Sequence, residues 1–329
     1  MSERAIMSEK ILVIGENFVD LIPETSKSAE DVERFSRRAG GSAVNVTIGL
    51  ANLGEPPLLR TRVGRDPFGQ FLTDTLTDHD ISLDYVEQDE TARTSLSFVE
   101  KKNNTKSDLS FTFYRHDTAD TRMEADVISD EVLADVDWVH TTSVGLESEP
   151  TRTALLTLME RAREMDCRVS FFPNTRKQLW SDSETLKDDF DSAIRLSDVI
   201  TGTIPELIDA GYEEDDPHEL ATKLCELGPN AVFLSLNDVE AYGYVSTGPL
   251  RGEDQYSGFE VSPKYPIGST DAFTAAIIAS YINGVDSLEK MLKSASAVAS
   301  ISTLSPGAIT MFSLKQSASS LYQDLPWSD

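Results

Sequence analysis

Two short runs in this sequence combine residue types and spacings that suit chemistry on a hydroxyl-bearing ligand. The first is Gly40-Gly41-Ser42-Ala43-Val44-Asn45-Val46-Thr47. Its paired glycines let backbone approach a polyol closely, and the Asn45 amide offers both a donor and an acceptor to a hydroxyl. The second is Gly268-Ser269-Thr270-Asp271-Ala272-Phe273, at the start of the apolar run TDAFTAAIIASYI. Asp271 is a candidate general base. The backbone N–H groups of Gly268, Ser269, Thr270 and Asp271, pointing from a helix N-terminus, form a candidate anion hole. A base near a hydroxyl and a cradle for negative charge are what moving an anionic group onto that hydroxyl requires. Taken alone, the second run reads equally well as an apolar helix with Asp271 as its N-cap.

The elements that would position these runs follow from periodicity. KILVIGENFVD, Lys10 to Asp20, starts with a β-branched run that ends at Gly15, a buried strand feeding a loop. AGGSAVNVTIGLANLG then predicts a helix opened by glycines and closed at Gly54. TSLSFVEKKNNTKSDLSFTFY, Thr94 to Tyr114, alternates apolar and polar residues around a KKNNTKSD turn and predicts a β-hairpin apart from the main sheet. From WVHTTSVG onward, strand-like and helix-like segments alternate through TRTALLTLMERAREM, CRVSFF, SDVITG, ELATKLCELG and AVFLSL. That alternation is the rhythm of a parallel sheet covered by helices. Two apolar helices, TDAFTAAIIASYI and LEKMLKSASAVASISTL, close the chain. Loops at strand ends are where such folds bind ligands.

Composition narrows the function classes. The chain has 329 residues, 40% of them hydrophobic, enough to bury a large core. No repeat or low-complexity linker divides it, so residues 1–329 are expected to form one domain. Against 56 Asp and Glu stand 29 Lys and Arg, a formal net charge of -27. Such a surface repels nucleic acid and anionic membrane, which removes both as partners. Acid spread along the chain with lysine scarcer than arginine matches proteins of salt-accumulating cells, where dense carboxylates keep a protein hydrated. An ordinary acidic enzyme has the same charge sign. No apolar run spans a bilayer and MSERAIMSEK lacks the apolar stretch of a secretory signal, so a cytoplasmic location is expected. Cys167, Cys225 and four scattered histidines offer no metal-site spacing, which argues against a zinc centre.

The first run continues through Gly54 to Val63-Gly64-Arg65-Asp66-Pro67-Phe68-Gly69. With GENFVDLIP before it and GSTDAF near the other end, the chain resembles the ribokinase-like, PfkB-type carbohydrate kinases from about Ile11 to Phe312. Within them it is most similar to fructokinases and 2-keto-3-deoxygluconate kinases, through FTFYRHDTAD. The resemblance implies a three-layer α/β/α fold with a mostly parallel, doubly wound central sheet. A small β lid, formed by about residues 18–38 and 94–115, would be inserted into it. It also implies ATP and Mg2+ as cofactors, a monovalent cation in parts of the family, a small-molecule sugar as partner and a homodimer through the lid. Carried over position by position, Asp271 would be the base and Asp20, Gly40, Gly41, Asn45, Tyr114 and Arg115 would hold the sugar. Arg115 also suits a carboxylate or phosphate; read without the resemblance, Tyr114 and Arg115 are a strand residue and a solvated neighbour. Asn174, Arg176, Ser235, Asn237, Ser296 and Gly307 would lie at the nucleotide, and Glu206 would hold the metal through water.

Several positions depart from the family pattern on the nucleotide side. Thr270 replaces a glycine of the anion hole, Phe172 the Asp of an Asp-Pro-Asn segment, and Thr203 the Asn of Asn-x-x-Glu. Ser235, Asn237 and Glu240 stand in a Thr-x-Gly-x-x-Gly segment, and Ala295-Ser296-Ala297 replaces Ala-Asn-Ala. A β-branched Thr270 is ill-suited to positive φ, and a Glu240 carboxylate near a polyanion is repelled unless it turns away. The sequence therefore supports two readings. One is a kinase that phosphorylates a primary hydroxyl of a ketose or keto-deoxy sugar acid. The other is a sugar-binding or regulatory homologue that has lost productive ATP binding.

Overall fold

The computed structural model describes residues 10–25, 31–101, 109–237, 239–262, 265, 267–304, 318–320, 322, 323 and 325. Gly307 and the centre of the KKNNTKSD turn lie outside them.

The first apolar run, Ile11–Ile14 (β1), is buried along its whole length. Because successive strand side chains face opposite ways, Ile11 and Val13 enter one core layer and Leu12 and Ile14 the other. β1 lies inside a nine-stranded sheet with Leu58–Gly64 (β4) on one side and Trp138–Thr142 (β8) on the other, both parallel to it. Val86–Asp89 (β5) extends the β4 side in parallel. Arg168–Phe172 (β9), Val199–Gly202 (β10) and Ala231–Ser235 (β11) extend the β8 side, also in parallel. The edge beyond β11 is Ala241–Val245 (β12) and Gly252–Tyr256 (β13), both antiparallel. The alternation predicted from sequence thus covers the parallel part, and this final meander falls outside it. Strand order reverses at β1, so a crevice opens at the carboxyl ends of β1 and β8, where open α/β sheets bind ligands.

At Gly15 the chain leaves this sheet for a second, four-stranded one. It contains Phe18–Pro23 (β2), Phe35–Gly40 (β3), Leu96–Lys101 (β6) and Leu109–Tyr114 (β7) in the order β3-β2-β6-β7. β3 and β7 pair antiparallel with their neighbours, whereas β2 and β6 run parallel. This is the small lid sheet expected from the sequence. Its entry is clamped by the Val63–Gly69 run. Asp66 caps Pro67–Asp78 (α2) by accepting from the Phe68 and Gly69 N–H groups at 2.9 Å, and it also accepts from the Thr94 N–H at 2.9 Å, just before β6. A Cβ on Gly64 would lie 2.6 Å from the Thr94 nitrogen, so that glycine serves packing.

Helices cover both faces of the large sheet. Thr151–Glu164 (α4), Ser183–Arg195 (α5) and Pro217–Leu227 (α7) pack on the Leu12/Ile14 face, while a four-residue turn at Asp130–Leu133 (α3) precedes β8. Ser42–Asn52 (α1), Ser269–Ile282 (α8) and Leu288–Ser302 (α9) pack on the other, with the short Ile204–Asp209 (α6) following β10. α8 is buried almost all round, as its unbroken apolar sequence requires. It meets α1 at Gly49, where a Cβ would lie 2.9 Å from the Ala275 Cβ. Gly49 is one turn past Asn45, and Ala275 one turn past Asp271, so this close approach sets the distance between those two side chains.

Replacing Gly49 with leucine should therefore destabilise the protein by about 1–3 kcal/mol through overpacking, despite better helix propensity. Urea unfolding of Gly49→Leu measures this; stability equal to or above the parent would mean that α1 and α8 do not meet there.

Candidate active site

A cavity of about 410 Å³ opens at the switch point, between the carboxyl ends of the strands and the lid. Phe18 and Asp20 of β2 and Phe111 and Phe113 of β7 roof it. Gly41, Ser42 and Asn45 at the start of α1 form one wall, and residues 267–271 at the start of α8 the base. Segments following β9, β10 and β11 bring Phe172, Asn174, Arg176, Thr203, Glu206, Ser235 and Asn237 to the remaining side. Residues more than 200 positions apart in sequence converge here because each sits just past a strand end or at a helix start.

Asp271 is 7% exposed. Its Oδ2 accepts from Asn45 Nδ2 at 2.7 Å, and the neighbouring Ser42 hydroxyl favours the ionised form of the same carboxylate. Burial pushes the Asp271 pKa up, while Asn45, Ser42 and the Arg176 charge oppose the rise. The carboxylate is thus poorly solvated, yet held by donors that favour its ionised form, as a general base requires. Asn45 Oδ1 is buried with no hydrogen-bond partner, a cost that a ligand hydroxyl in the cavity would relieve. Gly268 precedes α8 with φ 86° and no side chain at Gly268 caps the helix, whose N-terminal end faces the cavity.

Asp20 accepts from the Ser97 hydroxyl across the β2–β6 pair, and burial pushes its pKa up to about 6. Glu206 is pushed up to about 7, chiefly by burial, and accepts from Thr203 Oγ1 at 2.8 Å. Arg176 moderates both: its Nη1 lies 3.8 Å from Glu206 Oε1 and its guanidinium stacks 5.0 Å from the Phe111 ring. Among the described residues lining the cavity Arg176 is the only cation, facing three carboxylates.

The substituted positions find local roles. Gly268, not Thr270, takes the left-handed conformation; Thr270 lies in the first turn of α8, where a β-branched residue meets no steric bar. Thr203 caps α6, accepting from the Glu206 N–H at 3.3 Å while binding its carboxylate, a capping-box pairing. Asn237 Oδ1 accepts from the N–H groups of Val239 and Glu240 at 2.9 and 2.8 Å and builds the β11–β12 turn itself. Glu240 does not line the cavity, and Phe172 forms an apolar part of its wall.

Some expected site residues are elsewhere. Tyr114 is 63% exposed on the outer lid face, because strand alternation sends Phe111 and Phe113 inward in its place. Arg115, 4% exposed, is locked by Asp120 and Glu147, each 2.6 Å away, and does not line the cavity. Gly40 packs directly against the Asp20 carboxylate, leaving no space for a side chain. Ser296 is buried within α9, away from the cavity wall. Ser42 and Glu16 went unnoticed in the sequence, since neither spacing nor periodicity marks them.

A buried carboxylate at a helix start, under a β lid at the switch point of an α/β sheet, lines a polar cavity of small-molecule size. Residues 8–315 match the pfkB family carbohydrate kinases. The chain is 28% identical over 317 residues to a fructokinase of Klebsiella pneumoniae, covering 94% of this chain and 98% of that one. It is 30% identical over 274 residues to a fructokinase of Escherichia coli, covering 83% and 84%. An uncharacterized sugar kinase from Pyrococcus horikoshii superposes with a TM-score of 0.79 at 25% identity, covering 92% and 94%. A fructokinase from Xylella fastidiosa with bound ATP shares the fold, with a TM-score of 0.82 at 22% identity over 95% and 99%. The chain belongs to the pfkB family and is a carbohydrate kinase with the ribokinase-like fold.

Because Arg176 holds down the pKa values of Asp20 and Glu206, Arg176→Met should raise them above about 6 and about 7 respectively. Carboxyl 13C NMR titration reads both; unmoved titrations would mean that Arg176 does not face these groups.

Proposed function

We propose that this kinase transfers the γ-phosphoryl group of ATP to a primary hydroxyl of a neutral ketose, with fructose the first candidate. The observation that carries the reading is the Asp271 carboxylate, held by Asn45 and Ser42 on the cavity wall at the uncapped start of α8. In this reading Asp20 and Asn45 orient the sugar hydroxyls. Asp271 takes the proton of the acceptor hydroxyl as its oxygen bonds to the γ-phosphorus and the bond from that phosphorus to the ADP oxygen breaks. The first-turn N–H groups of α8, from Gly268 to Asp271, would stabilise the charge on the transferring group. Arg176 and Asn174 would face the phosphates. The donor set fits a metal held through water: the Glu206 carboxylate reaches the cavity, and among the described residues lining it Arg176 is the only cation. Magnesium bound with the nucleotide would neutralise phosphate charge there.

The choice of a neutral sugar over a keto-deoxy sugar acid follows from charge. Arg115, the expected partner for a sugar carboxylate, is taken up by Asp120 and Glu147. An acid would instead meet Asp20 and Asp271. Fructokinase relatives point the same way. A fructokinase from Vibrio cholerae whose structure holds fructose, ADP and a potassium ion shares this fold, with a TM-score of 0.81 at 24% identity over 94% and 96% of the chains. It supports including potassium in the reaction. A lid-mediated homodimer, a cytoplasmic location and adaptation to high salt belong to the same reading.

An ADP-release assay in multimolar KCl with Mg-ATP, against fructose, 2-keto-3-deoxygluconate, ribose and glucose, tests it. Fructose should turn over, and Asp271→Ala should lose at least about a thousandfold in kcat. The kcat/KM should fall as pH drops below about 6, because protonated Asp20 loses its charge and one of its acceptor oxygens becomes a donor. Silence on every sugar with sugar binding intact by calorimetry would establish a sugar-binding homologue instead.

A further inference from the structure

Glu16 lies between β1 and β2, and its side chain is wholly buried. Both carboxylate oxygens are used: Oε1 accepts from the Ser42 N–H at 2.8 Å and Oε2 from Thr142 Oγ1 at 2.6 Å. The residue immediately before α1, Gly41, has φ 99° and offers no side-chain cap. A Cβ there would lie 2.6 Å from the Glu16 carbonyl oxygen, so the Glu16 backbone and the start of α1 are pressed together. A carboxyl group from 26 residues upstream thus supplies the acceptor that the start of α1 lacks, while burial pushes its own pKa up against the lowering effect of Thr142, the Ser42 N–H and the Arg115 charge. What it caps is the turn that holds the base. Ser42 Oγ accepts from Asn174 Nδ2 and its hydroxyl favours the ionised form of the neighbouring Asp271, and Asn45, within the same first turn, donates to Asp271 Oδ2.

We propose that Glu16 and Ser42 are positioning residues for Asp271: Glu16 anchors the first turn of α1, and Ser42 aims the Asp271 carboxylate from that anchor. The role of Asp271 as base rests on the kinase reaction proposed above; the geometry of the relay does not. An uncapped turn would let Ser42 and Asn45 drift, and a misaimed base loses rate while substrate still binds. Other charges also act on Asp271, namely Arg176 from the segment after β9, Asp20 from β2 and Glu206 from α6. None of them touches Ser42 or Glu16, so they remain a constant background in the comparison.

The test uses the full chain with Ser42→Ala, Ser42→Thr, Glu16→Gln and Glu16→Ala, and two readouts. In carboxyl 13C NMR, with the Asp271 signal assigned by Asp271→Asn, losing the Ser42 hydroxyl should raise the Asp271 pKa further, because a group that favours the ionised form is lost. Glu16→Ala should raise it too, while Ser42→Thr, which keeps a hydroxyl, restores the parent titration. In kinetics, the acid limb of kcat should move upward with that pKa and kcat should fall about tenfold, with the sugar KM within about twofold. Glu16→Gln, which keeps the shape and the acceptor to Ser42, should fall between the parent and Glu16→Ala. An Asp271 titration and acid limb unmoved in Ser42→Ala overturn the proposal, and that variant removes only one hydroxyl should Glu16→Ala fail to fold. If the parent protein transfers no phosphoryl group, the kinase reading fails, and the NMR titration still decides whether Glu16 and Ser42 hold Asp271.

Discussion

The site depends on one helix contact. α1 and α8 approach closely enough at Gly49 and Ala275 that a single added carbon would clash, and one turn earlier the same approach brings Asn45 within 2.7 Å of Asp271. Glycine inside a helix costs about 1 kcal/mol relative to alanine. Here that cost permits a hydrogen bond between residues 226 positions apart. The burial of α8 follows from the same geometry. A helix apolar on every side must be enclosed, and α1, α9 and the sheet enclose it, leaving only its first turn facing the cavity.

Burial then governs the chemistry. Asp20, Asp271 and Glu206 share a cavity with one arginine, and in each the loss of water is the largest influence on the pKa. Carboxylates with raised pKa values are stronger bases than exposed ones and readily take protons or recruit cations. The hydrogen bonds from Ser97, Ser42, Asn45 and Thr203 limit the rise. The cavity therefore sets three carboxyl groups of raised pKa against a single guanidinium among its described lining residues.

The substituted family positions show how a motif can change without removing its function in the fold. Gly268 already provides the left-handed residue before α8, so Thr270 needs only ordinary helical geometry. Thr203 and Asn237 satisfy backbone and carboxylate groups locally, and Glu240 stays off the cavity wall. These side chains bond within the protein, and they leave the contact between Asp271 and Asn45 and the start of α8 in place.

Continuous apolar runs announced the parallel strands, and glycines and polar residues marked the loops between them, because burial and backbone conformation are local properties of residue type. The family resemblance, rather than local pattern, pointed to Asp20, Asn174, Arg176 and Glu206, and they line one cavity with Asn45 and Asp271, whose runs the residue types had marked. The reversed order of strands about β1, the parallel β2–β6 pair and the antiparallel β12–β13 edge were not legible, since pairing partners lie far apart in the chain. Nor could spacing show that Tyr114 turns outward while Phe111 and Phe113 turn in, or that Arg115 is consumed by Asp120 and Glu147. Which face of a strand meets the cavity, and which charges find each other, depends on what packs opposite. By itself, then, the sequence determined the layered α/β class and which polar residues to look for around one cavity. Only the tertiary structure decided their mutual distances, the pKa shifts that burial imposes, and the buried Glu16–Ser42 relay, because each arises from groups brought together by the fold.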